Sequence, residues 1–297
     1  GNNIVRSRAS VAVRCYLAAN HLSFATECRK CLVRRTDDYL DCIKTTLMEP
    51  AKKTYSPLRT SNLAIGYTGG NRLTVVQQHL DLELLPGEMV CMIGPNGCGK
   101  STLLRTLAGL QRPITGSVLI EGKNLETLSV RDRAELLALT LTDRVEVDKM
   151  SVYEIVAMGR YPYTNRFGKL TAADKEIVAE ALAQVHLEEK ASRYISELSD
   201  GEKQRAMIAK VLAQSTSLLF FDEPTAHLDL PNRVSIMLLL KKLAQNTGKA
   251  ILLSTHELEL AMQVADKLWL MNDRGVRIGT PDQLIADGSF ESVFFFV

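Results

Sequence analysis

The stretch "GPNGCGKS" at residues 94–101 decides the fold class of this 297-residue chain. It fits the pattern G-x-x-x-x-G-K-[ST], follows the short apolar run "MVCMIG" at 89–94, and precedes the helical pattern "STLLRTLAGL" at 101–110. A buried strand that ends in a glycine-rich loop and opens a helix is the setting in which this loop binds phosphate. The sequence therefore predicts an α/β nucleotide-binding domain of the P-loop type.

Each position of this loop has an expected part in nucleotide binding. Gly94, Gly97 and Gly99 let the backbone curl so that its N–H groups point at phosphate oxygens. Lys100 is expected to reach the β- and γ-phosphates, and the Ser101 hydroxyl to bind Mg²⁺. The predicted nucleotide-binding residues of the loop are Gly94, Pro95, Asn96, Gly97, Cys98, Gly99, Lys100, Ser101 and Thr102.

A second motif, "SLLFFDE" at 217–223, places two carboxylates directly after an apolar strand. Asp222 is expected to hold Mg²⁺ through water. Glu223 is the candidate for activating or orienting the water that attacks the phosphate. Acids at a strand end have an ordinary capping explanation when they stand alone, but an intact phosphate loop earlier in the chain favours the catalytic interpretation.

Strand patterns alternate with helix patterns along the chain. "LDLELL" at 80–85 alternates with period two, which predicts an antiparallel strand with one exposed face. "GSVLIEG" at 116–122, "AILLS" at 250–254 and "KLWLM" at 267–271 are further strand signals. The pattern predicts a largely parallel sheet, an antiparallel piece near its start, and a mostly helical insert at about 143–213.

Three helices are marked by their ends. "SVYE" at 151–154 and "TAAD" at 171–174 carry the capping-box pattern, in which a hydroxyl and an acid three residues later satisfy the first N–H groups of the helix. The stretch at 229–248 has Pro231 near its first turn and Gly248 just past its end, which is the expected asymmetry of a helix.

Five stretches, in the expected order and spacing, resemble the ATPase subunit of an ABC transporter. They are "LAIGY" with Tyr67, "GPNGCGKST", "LSDGEKQR" at 198–205, "SLLFFDEPTAHLD" at 217–229 and "LLSTHE" with His256. The resemblance covers residues 58–297. It implies a P-loop NTPase fold of the ABC ATPase type, in which a mostly parallel core sheet carries an antiparallel β subdomain and an α-helical subdomain. It also implies ATP and Mg²⁺ as cofactors.

In this family the "LSGGQ"-like signature opens a helix that faces the γ-phosphate bound by a second copy of the domain. The resemblance implies that Ser199, Gly201 and Glu202 contact nucleotide in this way, in a head-to-tail dimer. A helix N-terminus suits such an anion. Asp200 and Glu202 stand where the family has Gly and Gln, and the sequence leaves open whether they point away or accept hydrogen bonds from ribose or backbone.

Further roles come from the same resemblance. Tyr67 is implied to stack on adenine, His256 to contact the γ-phosphate and steady the water, and Asp229 to communicate across the dimer. The implied catalytic residues are Lys100, Glu223 and His256, and the implied metal ligands are Ser101 and Asp222. One position departs from the family, which usually has a Gln at the place of Thr142, where it links Mg²⁺ to the membrane subunit.

The stretch "MSVYEIVAMGRYPYTNRFG" at 150–168 resembles ATPases of importers for iron chelates, haem or cobalamin. It lies where the domain is expected to receive a helix from a membrane subunit, with Tyr161, Tyr163 and Phe167 as aromatic contacts. The resemblance implies polytopic permease subunits and, indirectly, a substrate-binding protein as partners. It also implies a peripheral location at the cytoplasmic face of the inner membrane.

Other functions compete with the importer hypothesis. A soluble ABC-type ATPase acting on ribosomes or DNA usually has two ATPase domains or a long coiled-coil insert, and the sequence has neither. A regulator without hydrolysis is disfavoured by four intact residues, Lys100, Asp222, Glu223 and His256. A transporter subunit with a different cargo stays open.

The composition of the chain bears on two other classes of protein, membrane-spanning and nucleic-acid-binding. Hydrophobic residues make up 46% of the chain, but no apolar run approaches the roughly 18–20 residues that span a bilayer, so a role at a membrane is expected to be peripheral. Residues 1–57 hold ten Lys/Arg and five Asp/Glu, whereas residues 58–297 hold 26 and 29. The main body therefore lacks the basic footprint of a nucleic-acid-binding protein.

Residues 1–57 are interpreted as an N-terminal extension, either a leader or an upstream-encoded segment, because Met48 begins a stretch that reads like an ordinary start. An Arg-rich targeting peptide is an alternative, although no compact apolar core with a cleavage site follows. Cys28 and Cys31 have zinc-like spacing without a matching second pair, so metal binding there stays open. The nucleotide-binding domain is predicted to comprise residues 58–297.

Overall fold

The computed structural model of the protein describes residues 56–69, 72–141, 149–165 and 168–294. Two sheets and a set of helices are present in these ranges. The strands are β1 Leu58–Gly69, β2 Arg72–Leu80, β3 Glu83–Leu84, β4 Met89–Ile93, β5 Thr115–Ile120, β6 Lys123–Asn124, β7 Leu137–Thr140, β8 Leu218–Asp222, β9 Ala250–Ser254, β10 Lys267–Asn272 and β11 Gly275–Gly279. The α-helices are α1 Lys100–Leu107, α2 Val130–Leu136, α3 Val152–Ala157, α4 Ala172–Gln184, α5 Asp200–Ala213, α6 Leu230–Thr247, α7 Leu258–Val264, α8 Pro281–Ala286 and α9 Ser289–Phe294.

The larger sheet has six strands in the order β11-β10-β4-β9-β8-β7. All neighbours pair in parallel except β10 and β11. The smaller sheet is antiparallel, with the order β2-β1-β5-β6 and β3 paired to β1. The predicted combination of a mostly parallel core sheet, an antiparallel piece and a helical insert is confirmed.

The core sheet is buried on both faces. All five side chains of β4 are buried, and they alternate between two hydrophobic clusters. Cys91 and Ile93 pack with the cluster that includes α5 and α6, whereas Val90 and Met92 pack with α1 and the antiparallel sheet. Because a slip of one residue would exchange these two faces, the register of the strands is strongly fixed. The ends of β4, β8 and β9 are thereby held at one edge of the sheet.

The helix ends follow the sequence signals. Ser151 and Thr171 both form complete capping boxes with the acid three residues later. Gly248 ends α6 in the left-handed region with φ 68°, where glycine carries no Cβ penalty. Within the described residues, no helix combines the length and apolar character that crossing a membrane requires.

The predicted strand at 80–85 was wrong as a single element. The strand β2 ends at Leu80, and β3 comprises only Glu83–Leu84. Between them the Thr60 hydroxyl donates to the Leu80 carbonyl and accepts from the Leu82 N–H, at 2.7 and 2.8 Å. The Thr60 N–H also donates to the Leu82 carbonyl at 2.9 Å, so both the backbone and the side chain of Thr60 hold the segment where the alternating pattern spans a break between β2 and β3.

A buried ion pair holds the helical insert together. The Arg160 guanidinium lies 2.9 Å from the Asp174 carboxylate, and both side chains are 7% exposed. Arg160 also donates to the Ala213 carbonyl at the end of α5, at 2.8 Å. The hydrogen bonds from Thr171, together with Arg160, lower the pKa of Asp174 to about 2.

We predict that Arg160→Leu destabilises the domain by about 3–5 kcal/mol, because it leaves a buried carboxylate without its cation. The matched control is Arg59→Leu, which breaks the exposed pair with Glu83 and is expected to cost no more than about 1 kcal/mol. Urea unfolding followed by circular dichroism measures both values. Equal, small losses in the two variants would contradict the assignment of Arg160 as a structural anchor.

Candidate functional site

The predicted phosphate loop lies at the edge of the core sheet, between β4 and α1. Gly97 and Gly99 have φ angles of 82° and 105°, in the region that side-chain-bearing residues rarely adopt. A Cβ on Gly94 would lie 2.1 Å from the Met271 carbonyl oxygen, because the backbone of β10 packs directly against the loop. Two of the three motif glycines are thus required by backbone angle and the third by close approach.

Lys100 is the first residue of α1 and is buried. Its ammonium donates to the carbonyls of Gly94 and Pro95, at 2.8 and 3.1 Å. These bonds hold the Lys100 side chain across the phosphate loop, which precedes Lys100 in the sequence. A fixed cation beside the N–H groups of a curled loop suits a phosphate group.

The candidate metal ligands meet one another. The Ser101 hydroxyl donates to Asp222 Oδ1 at 3.2 Å, across 121 residues of sequence. The Ser254 hydroxyl at the end of β9 donates to the same oxygen at 2.6 Å. A serine hydroxyl and a carboxylate are hard oxygen ligands, and Mg²⁺ typically takes one or two of these with water and substrate phosphates completing the shell. The pair therefore fits Mg²⁺.

The candidate catalytic pair lies next to this metal position. His256 Nε2 and Glu223 Oε1 are 2.5 Å apart, and both side chains remain partly exposed. The Glu223 N–H donates to the Ser254 hydroxyl at 2.9 Å, and its φ of 50° is unusual for a residue other than glycine. Local strain at a strand end is typical of a functional position. Ser254 was missed by the sequence analysis, because a serine after an apolar run carries no distinctive signal.

Tyr67 reaches the phosphate loop from β1. Its hydroxyl lies 2.5 Å from that of Thr102, while half of the residue stays exposed. A tyrosine ring held this way can offer a face to a purine.

Gln77 on β2 was also missed. Its amide donates to the Cys98 carbonyl at 2.9 Å and to the Asn272 carbonyl at 2.5 Å. The antiparallel sheet is thereby fixed to the loop. Burial raises the pKa of the Cys98 thiol, which suits a packing position rather than a nucleophile.

The signature stretch forms the start of α5. Ser199 is the N-cap, and Glu202 completes a capping box by accepting the Ser199 N–H at 3.1 Å. Glu202 also forms an ion pair with Lys190, which together with these hydrogen bonds lowers the pKa of the carboxyl group. Asp200 lies 3.6 Å from Lys203. The carboxylate of Glu202, predicted as a nucleotide ligand, is engaged here by the cap of its own helix and by Lys190.

Two predicted interaction residues have simple local roles. Asp229 is the N-cap of α6 and accepts the Asn232 N–H at 3.2 Å. Tyr163 donates to the Gln214 carbonyl at 2.9 Å and lies under the Arg160 guanidinium. Tyr163 thus packs within the helical insert. Four predicted positions lie outside the described residues: Cys28, Cys31, Thr142 and Phe167.

These contacts define the class of protein. Five residues from three separate parts of the sequence are brought to one edge of a parallel sheet: Lys100, Ser101, Asp222, Glu223 and His256. Together they supply a cation for phosphate, oxygen ligands for a metal, and a carboxylate for water. The protein has the site of a P-loop ATPase.

Comparison with known proteins gives the family. The profile of the ABC transporter family matches residues 77–226. An uncharacterised ABC transporter ATP-binding protein of Methanocaldococcus jannaschii is 42% identical over 229 residues, covering 77% of this chain and 78% of the relative. The chain belongs to the ABC transporter family and is an ABC-type ATPase.

Other relatives carry more specific names. An iron(3+)-hydroxamate import ATP-binding protein of Bacillus subtilis is 35% identical over 238 residues, covering 80% of this chain and 87% of the relative. A hemin import ATP-binding protein of Gloeobacter violaceus is 39% identical over 225 residues, covering 73% and 81%. The dimeric structure of the cassette MJ0796 with ADP and Pi matches with a TM-score of 0.64 and 27% identity, over 75% of this chain and 98% of that chain.

We predict that Glu223→Gln slows ATP hydrolysis by roughly 10²- to 10⁴-fold, because it keeps shape and hydrogen bonding but removes the base. ATP binding should survive, so single-turnover hydrolysis and equilibrium binding are measured side by side. Lys100→Ala serves as the contrasting variant, because it should lose phosphate affinity instead. Near-normal turnover in Glu223→Gln would show that another group activates the water, with His256 the next candidate.

Proposed function

We propose that this chain is the ATP-hydrolysing subunit of an importer for iron-siderophore, haem or cobalamin-type metal chelates. It acts as a head-to-tail dimer bound to polytopic permease subunits, at the cytoplasmic face of the membrane, and indirectly serves a substrate-binding protein. The observation that carries the hydrolytic part is the convergence of Ser101, Asp222, Glu223 and Ser254 through hydrogen bonds and adjacent chain positions at one sheet edge.

The phosphate-binding half of the proposed site is made by the loop and its lysine. Lys100 exchanges its bonds to the loop carbonyls for the β- and γ-phosphates, and Tyr67 stacks on the adenine. Ser101 and Asp222 would hold Mg²⁺, which would neutralise charge on the phosphates. Positioning and charge neutralisation are the main requirements of phosphoryl transfer.

The water-activating half is the Glu223–His256 pair. Glu223 accepts a proton from the attacking water or orients that water. His256 keeps the Glu223 carboxylate in place and contacts the γ-phosphate. The Ser254 hydroxyl joins the two halves, since it binds the Asp222 carboxylate and the Glu223 N–H. The orientation of Glu223 is therefore tied to the metal ligand.

The signature at the start of α5 supports the dimer. At this helix start Glu202 caps its own helix and pairs with Lys190, whereas Asp200, between Ser199 and Gly201, stays exposed beside Lys203. The Glu202 carboxylate is thereby engaged within its own chain. The relative MJ0796 is a dimeric cassette in its nucleotide-bound structure.

The importer assignment rests on relatives and on the surface of the helical insert. Relatives named for hydroxamate and hemin import match across most of this chain. Gly159 fixes the segment, since a Cβ there would lie 2.2 Å from the Lys210 carbonyl, and Arg160 anchors it. Tyr161, which follows these two residues in the sequence, stays 59% exposed. It is the aromatic side chain we assign to permease contact.

Affinity purification of the tagged chain from native membranes tests this function. We expect a polytopic membrane protein to co-purify, and the hydrolysis rate of the isolated chain to rise more than linearly with its concentration, because each site needs a second copy. Co-purification of ribosomes or DNA would instead support the soluble alternative. Strictly linear activity at low concentration would contradict the shared site.

A further inference from the structure

The first turn of α6 contacts the signature through one residue and the loop of His256 through the next. Asn232 packs against the signature, since a Cβ built on Gly201 would lie 2.5 Å from Asn232 Oδ1. One turn further, Arg205 of α5 donates to the Ser235 hydroxyl at 2.7 Å. The start of the signature helix is therefore in direct contact with α6, with no other side chain between Gly201 and the Asn232 amide.

The next residue, Arg233, faces the hydrolytic site. Its Nε donates to the Leu228 carbonyl at 2.6 Å, and its Nη1 forms an ion pair with the Glu257 carboxylate. Leu228 directly precedes Asp229, and Glu257 directly follows His256. The Arg233 guanidinium thus connects two segments. One is the segment at Asp229 that is expected to meet a second copy, and the other is the loop that carries His256.

The loop at Glu257 is itself well held. The Glu257 N–H donates to the Thr255 hydroxyl at 3.0 Å and the Leu258 N–H to the His256 carbonyl at 3.1 Å, so both sides of His256 are hydrogen-bonded. The His256 ring in turn contacts Glu223. A chain of contacts therefore runs from Arg233 to the water-activating carboxylate.

We propose that Asn232 and Arg233, here called the α6 link, pass the position of the signature helix to the Glu223–His256 pair of the same chain. This inference rests on the proposed dimer. In that dimer, the signature of each chain contacts one ATP, and Glu223 of the same chain acts at the other ATP. The α6 link then connects the two ATP sites through one subunit, and Arg233 acts as a positioning residue rather than as a ligand of nucleotide.

The geometry favours this route because the two residues are consecutive in a capped helix of 18 residues. A shift of the α6 backbone at Asn232 carries Arg233 with it, since the two residues are neighbours in one helical turn. Arg233 and Glu257 are each about one-third exposed at 34% and 31%, so the pair is accessible enough to rearrange without unfolding the core.

The test compares Arg233→Gln, Glu257→Gln and the double variant by steady-state ATP hydrolysis. Each single variant should lower the Hill coefficient for ATP toward about 1 and reduce kcat by about tenfold, within the usual range of coupling between sites. ATP binding to the isolated monomer should change by less than about twofold, because neither residue contacts nucleotide. The double variant should lose no more than either single one, since both break the same pair.

Arg59→Gln is the matched control, since it breaks an exposed arginine–glutamate pair on the antiparallel sheet and should leave cooperativity unchanged. Circular dichroism confirms that each variant is folded. A wild-type Hill coefficient near 2 that persists in Arg233→Gln and Glu257→Gln would overturn the α6 link. A wild-type protein with no cooperativity and no dimer would instead refute the proposed function, which separates the two failures.

Discussion

The structure depends on one buried carboxylate, that of Asp222. It is 6% exposed at the end of β8, and it accepts hydrogen bonds from Ser101 of α1 and Ser254 of β9. A polar group with so little solvent around it is costly to bury unless it is hydrogen-bonded. These bonds tie the phosphate loop to two parallel strands, and the Ser254 hydroxyl also fixes Glu223. Phosphate, metal and water positions are therefore set by a single register, in which Asp222 pairs with Ser254.

The residues expected to bind phosphate, metal and water meet at one edge of the core sheet, whereas the signature of the same chain lies at the start of α5. The separation makes physical sense if the helix start serves a second copy. The Glu202 carboxylate is engaged by its own helix cap and by Lys190, and the helix start carries the partial positive charge of a helix N-terminus. The first turn of α6 then lies between the two functions, because Asn232 touches the signature and Arg233 touches the loop of His256.

Much of this arrangement could be predicted from the sequence, because it depends on local signals. The phosphate loop, the strand ending at Asp222, the capping boxes and the ends of α6 each arise from residues close together in the chain. The break near Leu82 could not be predicted, since it depends on Thr60. Ser254 and Gln77 were missed for the same reason: their partners are brought to them only by the packed sheets.

Each proposed ATP site needs two chains, and a mixing experiment tests this requirement. Two variants are prepared in a Glu223→Gln background: Lys100→Ala, which removes the phosphate cation, and Ser199→Asp, which keeps a good N-cap but adds charge facing the partner's phosphate. Size-exclusion chromatography with ATP and Mg²⁺ should show monomers for each variant alone and a dimer with about one ATP for the mixture. A Ser199→Asp protein that dimerises by itself, or a mixture that stays monomeric, would contradict the account.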